Sequence, residues 1–427
     1  MATGVFDLRG AGSAAVPADG ALTLRWPSRP GSTDTVESDL GWALEPWAGV
    51  PVAAADLLKV ATGAYLADAL TPRGVTFTRD IALTVAVTDP GRWTDGLADE
   101  ACDLLYWLTG DQWQLSVVPD DVVAGGDGLP DPPSPAPVSL LSGGLDSLMG
   151  AVFLLHRDPA VQFLGHKDAA KAIRASQNAV GAWLARSYTP MPSYTRVALK
   201  QVGAKRERSS RSRSLLFMSL GISAASSRGA TTLYVPENGY TSLNVPLHPN
   251  RAGALSTRST HPMTFYRMNG LLLGLGLDVA VANPFEAMTK GEVMMMIAGM
   301  NPPEHWLDAA ALTLSCGKLD GARIPGGGGN PNLGCGLCVP CLVRRGTFIA
   351  AGQPDQTRYL VNEMTGSGLA QLVRRRQGDI DAVRYATARP VDEDLIDSQT
   401  WPDGYDLDAA SALVQRGLDE LATVPLP

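Results

Sequence analysis

The stretch Pro137-Val-Ser-Leu-Leu-Ser-Gly-Gly-Leu-Asp-Ser-Leu-Met149 constrains this chain more than any other. The apolar run 138–141 predicts a short strand, and residues 148–156 predict a helix. Between them two consecutive glycines let the backbone turn sharply and come close to a ligand. The helix that follows presents unpaired N–H groups and the positive end of its dipole. Ser142 and Ser147 add hydroxyl donors. Ser142, Gly143, Gly144, Leu145, Asp146 and Ser147 therefore read as an anion cradle suited to phosphate or pyrophosphate. Asp146 is placed to cap the helix or to help hold a nucleotide's Mg²⁺. The pattern is neither GxxxxGK[ST] nor GxGxxG.

From this loop onward strands alternate with helices: strands at 161–164, 195–199 and 232–235, helices at 169–187 and 214–226. Such alternation predicts an α/β fold, a parallel sheet with helices on both faces. The 427 residues suggest two or three domains. Residues 125–137, rich in Pro and Gly, read as a linker. Residues 1–124 read as an N-terminal α+β accessory domain with helices at 53–69 and 96–108 and strands at 75–87 and 112–118. Six of the nine tryptophans lie there (Trp26, Trp42, Trp47, Trp93, Trp107, Trp113), as core or as a partner-binding surface. Residues 138–350 form the α/β domain, and 351–427 a mainly helical extension. Arg374-Arg375-Arg376 in that extension reads as a solvated face, and 326–329 as a loop.

The five cysteines are unevenly placed. Cys102 reads as a buried, inert thiol. Cys335-Gly-Leu-Cys338-Val-Pro-Cys341 holds two overlapping CxxC spacings, with Cys316 as a fourth thiolate. Four thiolates together suit a closed tetrahedral Zn²⁺ site; an iron–sulfur cluster or a redox CxxC uses the same residues. The net charge of −8 argues against a nucleic-acid partner. No signal peptide and no apolar run of about 20 residues is visible, so a soluble cytoplasmic protein without a membrane partner is expected. Lys205-Arg-Glu-Arg-Ser-Ser-Arg-Ser-Arg213 is either a solvated loop or a source of cations, Arg211 and Arg213 foremost.

Taken in order, these motifs resemble the 7-cyano-7-deazaguanine synthase (QueC) family. Ser142 to Ser147 matches the SGGxDS signature of the PP-loop ATP pyrophosphatases. Ser212-Arg-Ser-Leu-Leu-Phe-Met-Ser-Leu-Gly221 is similar to the family's Arg-Asn segment, with Arg213 in the arginine position and Ser214 where Asn is usual. Val235-Pro-Glu-Asn-Gly-Tyr240 is similar to the strand end whose acidic residue helps form the base pocket, which places Glu237 there. Asn283-Pro-Phe-Glu-Ala-Met-Thr-Lys-Gly-Glu292 matches at Lys290 and Glu292. Leu314-Ser-Cys316 and Gly334-Cys-Gly-Leu-Cys-Val-Pro-Cys-Leu-Val-Arg344 match the zinc tail. The resemblance spans 138–345, about half of the chain. It implies a PP-loop (HUP-like, adenine nucleotide alpha hydrolase) fold, ATP with Mg²⁺, and structural Zn²⁺ on Cys316, Cys335, Cys338 and Cys341. It assigns catalysis to Asp146, Arg213 and Lys290, and binding of the substrate to Glu237 and Arg213, to which the basic stretch adds Arg211 as a candidate.

The chain departs from the family at Leu164-Gly165-His166-Lys167, where Gly-Gln-x-His is usual, and in the longer segment 235–266. Residues 1–135 and those after 350 have no counterpart in the short enzymes. Long QueC-like proteins of this kind resemble components of bacterial anti-phage systems (QatC and the type IV CBASS component). That implies adenylation of 7-carboxy-7-deazaguanine and its joining to a protein N-terminus, with a defence partner as acceptor. The competing readings are a biosynthetic synthase using ammonia, another PP-loop enzyme acting on tRNA, and a non-catalytic nucleotide-binding scaffold. The short relatives imply a homodimer.

Overall fold

The computed structural model describes residues 3–10, 13–28, 31–39, 49–94, 96–121, 135–167, 170–203, 205–207, 211–249, 258–324 and 330–427. In chain order they form β1 (Thr3–Gly10), β2 (Leu22–Trp26), β3 (Thr35–Ser38), α1 (Val52–Leu70), β4 (Asp80–Val87), α2 (Leu97–Thr109), β5 (Gln112–Pro119), β6 (Val138–Leu140), α3 (Leu145–Arg157) and β7 (Gln162–His166). These are followed by α4 (Lys171–Ser187), β8 (Tyr194–Val197), β9 (Leu199–Val202), α5 (Arg213–Ser226), β10 (Thr232–Tyr234), α6 (Gly239–Leu243), α7 (Pro262–Gly274), β11 (Ala280–Ala282) and α8 (Lys290–Gly299). The rest is α9 (Trp306–Leu312), α10 (Val339–Ala350), α11 (Leu360–Glu363), α12 (Gly366–Thr387), α13 (Glu393–Asp397) and α14 (Leu407–Ala422). Most of the 125–137 segment and all of 326–329 lie outside the described residues, as do Trp42 and Trp47. No helix among the described residues is long and apolar enough to cross a membrane.

The chain packs as two compact units, each made of separated segments. The first holds Met1–Leu140, Thr195–Tyr234 and Thr257–Ala282; the second holds Leu141–Tyr194, Val235–Ser256 and Asn283–Pro427.

In the first unit a sheet runs β5-β4-β1-β2-β3-β9. Its first five strands pair in parallel, and β9 joins β3 antiparallel. Four of those strands (β1, β2, β3 and β9) were not foreseen from the sequence; the strand expected over 195–199 is β8. The strand expected over 75–87 begins only at Asp80. Val75 is fully exposed and Phe77 half-exposed, because Arg79 turns the chain inward here. α1 lies between the sheet (β1 and β4) and α5. It buries almost every residue, which explains why VAAADLLKVATGAYLADAL shows no single apolar face. α5 packs in turn on β6 and β10, close to β10 because Gly221 has no Cβ: one would stand 2.8 Å from the Leu233 methyls. β6, β10 and β11 pair in parallel. Trp26, Trp93, Trp107 and Trp113 are buried, as core-filling residues would be.

A buried ionic chain closes one end of this unit. Arg79, with no exposed surface, pairs with Asp68 at 2.6 Å and with Asp111 at 2.5 Å. Arg73 forks onto Asp111 at 2.8 and 2.9 Å. The second oxygen of Asp68 accepts from the backbone N–H groups of Arg211 (2.9 Å) and Ser212 (3.1 Å) and from the Ser212 hydroxyl (2.8 Å). The end of α1 thereby fixes the start of α5.

In the second unit α10 packs on α8 and α14, and α14 on α12. The residues after 350 are part of this core. Leu413, Val414, Leu418 and Leu421 of α14 share a cluster with Leu342 and Val343 of α10. A second cluster gathers Leu360, Leu372 and Ile380 around three of the cysteines. Arg376 corrects the reading of 374–376 as a solvated face. Arg374 and Arg375 are exposed, but Arg376 is buried and pairs with Asp320.

Candidate active site and metal centre

All of the glycine loop lies in the second unit. Gly143 takes φ +87°, a region that side chains with a Cβ avoid. A Cβ there would stand 2.9 Å from Gln177 Cγ. Gly144 is the N-cap of α3 and no side chain caps the helix there, which leaves the first-turn N–H groups without a capping partner. Ser142 and Ser147 bond each other at 3.2 Å, and the Ser147 hydroxyl also donates to Gly144 O at 2.9 Å. Three groups that the sequence reading missed hold the loop from behind. Ser176 donates to Gly143 O at 2.5 Å, Gln177 to Ser142 O at 3.3 Å, and the Leu314 amide to Gly143 O at 3.2 Å.

Asp146, in the first turn of α3, is nearly buried and pairs with Lys290 Nζ at 2.6 Å. Glu237 completes the cluster. Asn238 Nδ2 donates to Asp146 Oδ1 (3.3 Å) and to Glu237 Oε1 (3.1 Å). Thr241 Oγ1 also donates to Glu237 Oε1, at 2.8 Å. Three motifs far apart in sequence thus meet at one point. Their meeting depends on close backbone approach. Asn283 brackets Glu237, accepting from its N–H (3.1 Å) and donating to its C=O (2.7 Å). The Gly239 amide donates to Met288 O at 2.7 Å, and a Cβ on Gly239 would lie 2.0 Å from Glu286 O. Gly150 likewise lets α3 reach Pro236.

Burial, and next the charge of Asp146, push the Glu237 carboxyl up to about 8; Lys290 opposes them only in part. Burial works against the Lys290 ammonium, but Asp146 and Glu237 outweigh it and raise the Lys290 pKa. Near neutral pH the cluster holds an Asp–Lys ion pair and a Glu237 that keeps its proton. Glu292, matched in the sequence reading, sits apart from this chemistry. With Thr289 it forms the capping box that starts α8 at Lys290. Glu420 of α14 binds the same helix start, accepting from Thr289 Oγ1 and from the Gly291 amide.

Arg211 and Arg213 lie in the first unit. Arg213 opens α5, with its guanidinium 5.0 Å from the Phe217 ring centre. Arg211 stacks on Phe77 at 4.7 Å. Of the basic stretch, residues 208–210 lie outside the described residues.

The sulfurs of Cys316, Cys335, Cys338 and Cys341 all lie within 4.8 Å of one another, and those of Cys316 and Cys338 are 3.8 Å apart. A tetrahedral ion with metal–sulfur distances of about 2.3 Å sets its four sulfurs about 3.8 Å apart. The set therefore fits one ion. Backbone amides stabilise thiolates here: Cys338 N–H donates to Cys335 Sγ at 3.2 Å, and Cys335 N–H to Cys316 Sγ at 3.3 Å. Buried Arg376 stands against Cys335 and offsets part of the thiolate charge. Cys102, half-buried on α2, has its thiol raised to about 11 by burial, which keeps it protonated and unreactive.

With this geometry in view, sequence comparison becomes specific. No family model matches the chain. Over about a third of its length, the chain is similar to 7-cyano-7-deazaguanine synthases. The synthase of Ectopseudomonas mendocina is 29% identical over 150 residues, 34% of this chain and 56% of that protein. The synthases of Ralstonia pickettii and Ralstonia nicotianae are 27% and 26% identical over 151 and 150 residues. The chain spans about half the length of the curated relatives it matches. The similarity supports a QueC-like assignment and agrees with the parallel α/β build, the glycine loop and the four-cysteine cluster.

Proposed function

We propose that this chain uses ATP to activate the carboxylate of a 7-deazaguanine, 7-carboxy-7-deazaguanine, for attack by an amine. The observation that carries the reading is the meeting of Asp146, Lys290 and Glu237 at the mouth of an uncapped Ser-Gly-Gly loop. A carboxylate is a poor electrophile because oxide leaves badly. Attack of its oxygen on the α-phosphorus of ATP forms an acyl-adenylate and releases pyrophosphate. The α3 amides hold the departing charge, and Lys290 supplies a fixed cation beside it. Asp146 is the carboxylate ligand available to Mg²⁺ brought by the nucleotide. Glu237, once ionised, accepts hydrogen bonds from the guanine-like edge of the base. The amine then attacks the acyl carbon, AMP leaves, and the amine gives up a proton. The four cysteines hold a structural Zn²⁺, whose part is to hold the fold together at the Cys316 and α10 segments.

The acceptor in this reading is a protein N-terminus within an anti-phage system. It is supported by about two-thirds of the chain lying outside the aligned relatives. Ammonia as acceptor, giving an amide that a second ATP-driven activation dehydrates to a nitrile, is the second reading; the printed names of the relatives favour it. Incubation of the protein with ATP, Mg²⁺ and 7-carboxy-7-deazaguanine, with and without ammonium, separates the two by mass spectrometry. Deazaguanine-dependent pyrophosphate exchange without free product supports the protein acceptor. Release of amide or nitrile with AMP supports the biosynthetic route. Exchange that ignores the deazaguanine overturns the substrate.

A further inference from the structure

The buried ionic chain of the first unit leaves two arginines over. Arg73 and Arg79 occupy both oxygens of Asp111, and Asp68 is taken by Arg79 and the start of α5. Glu207 accepts from the Arg73 backbone amide at 3.0 Å. Arg211 and Arg258 make no ion pair with a carboxylate among the described residues. Each rests on the last turn of α2: Arg211 Nη1 reaches Thr109 O at 3.5 Å and Arg258 Nη1 reaches Trp107 O at 2.9 Å. Each is backed by an aromatic ring, Phe77 at 4.7 Å and Trp107 at 3.9 Å. Both are partly buried, and Phe77 opens the place to solvent.

We propose that Arg211 and Arg258 form a clamp for a phosphoryl group, carried on the first unit and walled by Phe77. Two guanidiniums seated on one helix turn present several N–H donors that the α2 carbonyls do not use. A phosphate dianion accepts such forks and offsets both charges. The surroundings compensate only in part. Burial and the neighbouring Arg73 disfavour the charged form of Arg211 more than Asp111 and Asp68 favour it; burial, and further on Arg211 itself, lower Arg258 to about 10 against the opposing Tyr106. Ring stacking holds both guanidiniums, and Asp68 anchors Arg211 through its backbone amide, before any ligand arrives, which limits the ordering cost of binding. Helix capping alone asks for one cation at the carbonyl end, not two crowded together. The clamp does not rest on the adenylation reading.

Calorimetric titration of the full chain with inorganic phosphate tests it, at low ionic strength and with the glycine loop saturated by Mg²⁺ and a non-hydrolysable ATP analogue. One equivalent of phosphate should bind. Arg211→Gln and Arg258→Gln should each weaken it at least tenfold, while Arg374→Gln, at an exposed arginine of the second unit, leaves it unchanged. Arg258→Lys, which keeps charge and stem, should give an intermediate loss and carries the test if a Gln variant does not fold. Tighter binding of AMP than of phosphate would identify a nucleotide as the source, and equal binding the free anion. Absence of binding, or affinity that all three variants of Arg211 and Arg258 leave within twofold, overturns the clamp. So does a change confined to melting temperature, since that is what a capping role alone would produce.

Discussion

Glu237 keeps a proton that an exposed glutamate would lose, and folding is linked to that proton. Its folded pKa, about 8, lies above the ordinary value of 4.5. Between these values the native state binds more protons than the unfolded one, so stability falls as pH rises across the window and levels off above it. The limiting slope is about 1.4 kcal/mol per pH unit for one group. Glu237→Gln cannot ionise and should flatten the dependence, gaining on the wild type as pH approaches 8; urea unfolding at pH 5, 6.5 and 8 measures it. Parallel curves for the two proteins would show that Glu237 ionises freely. Arg79→Met belongs to the same scale. It leaves Asp68 and Asp111 buried without their shared cation and should cost about 3–5 kcal/mol, read as a fall in the urea midpoint. Residues like Asp146 and Lys290 were legible because motif and chemistry coincide. Asn238, Ser176 and Gln177 were not, since nothing in an Asn or a Ser-Gln pair marks which carboxylate or carbonyl it will meet.

At the level of elements, the start of α8 decides where Lys290 stands. Thr289 and Glu292 form its capping box, and Glu420, on a helix 130 residues away in sequence, binds the same turn. A Cβ on Gly291 would lie 2.4 Å from Glu420 Oε1. Gly291→Ala should displace Glu420 and cost about 1–2 kcal/mol in lost hydrogen bonds. Combined with Glu420→Ala it should cost less than the sum of the two, because both remove the same contact. Strict additivity in a thermal-melt cycle would mean that the contact contributes nothing. α1, α2 and α5 were foreseen to within a few residues, α2 by its apolar periodicity and α1 and α5 by long apolar content without breakers. β1, β2, β3 and β9 escaped because short, mixed strands become recognisable only when paired.

At the scale of the whole molecule, the four-cysteine site ties segments from before and after residues 326–329 to α10 and, through Arg376, to α12. Metal binding by such a set is folding energy. Cys338→Ser, or chelation of the wild type, should remove more than about 4 kcal/mol and lower the metal content measured by atomic emission. Full metal occupancy in Cys338→Ser would remove that cysteine from the ligand set.

The sequence by itself determined the alternation of strand and helix after residue 138, the glycine turn at 142–147 and the four-cysteine set. Each of these is a local pattern whose chemistry lies within a few bonds or one helical turn. Tertiary structure alone decided three things. Asp146, Glu237 and Lys290 share one low-dielectric point, so that one carboxyl keeps its proton. Arg376 turns inward to thiolates while its two neighbours face water. The end of α1 grips the start of α5 through Asp68. These outcomes depend on burial and on contacts between residues dozens of positions or more apart, and no local spacing encodes either quantity.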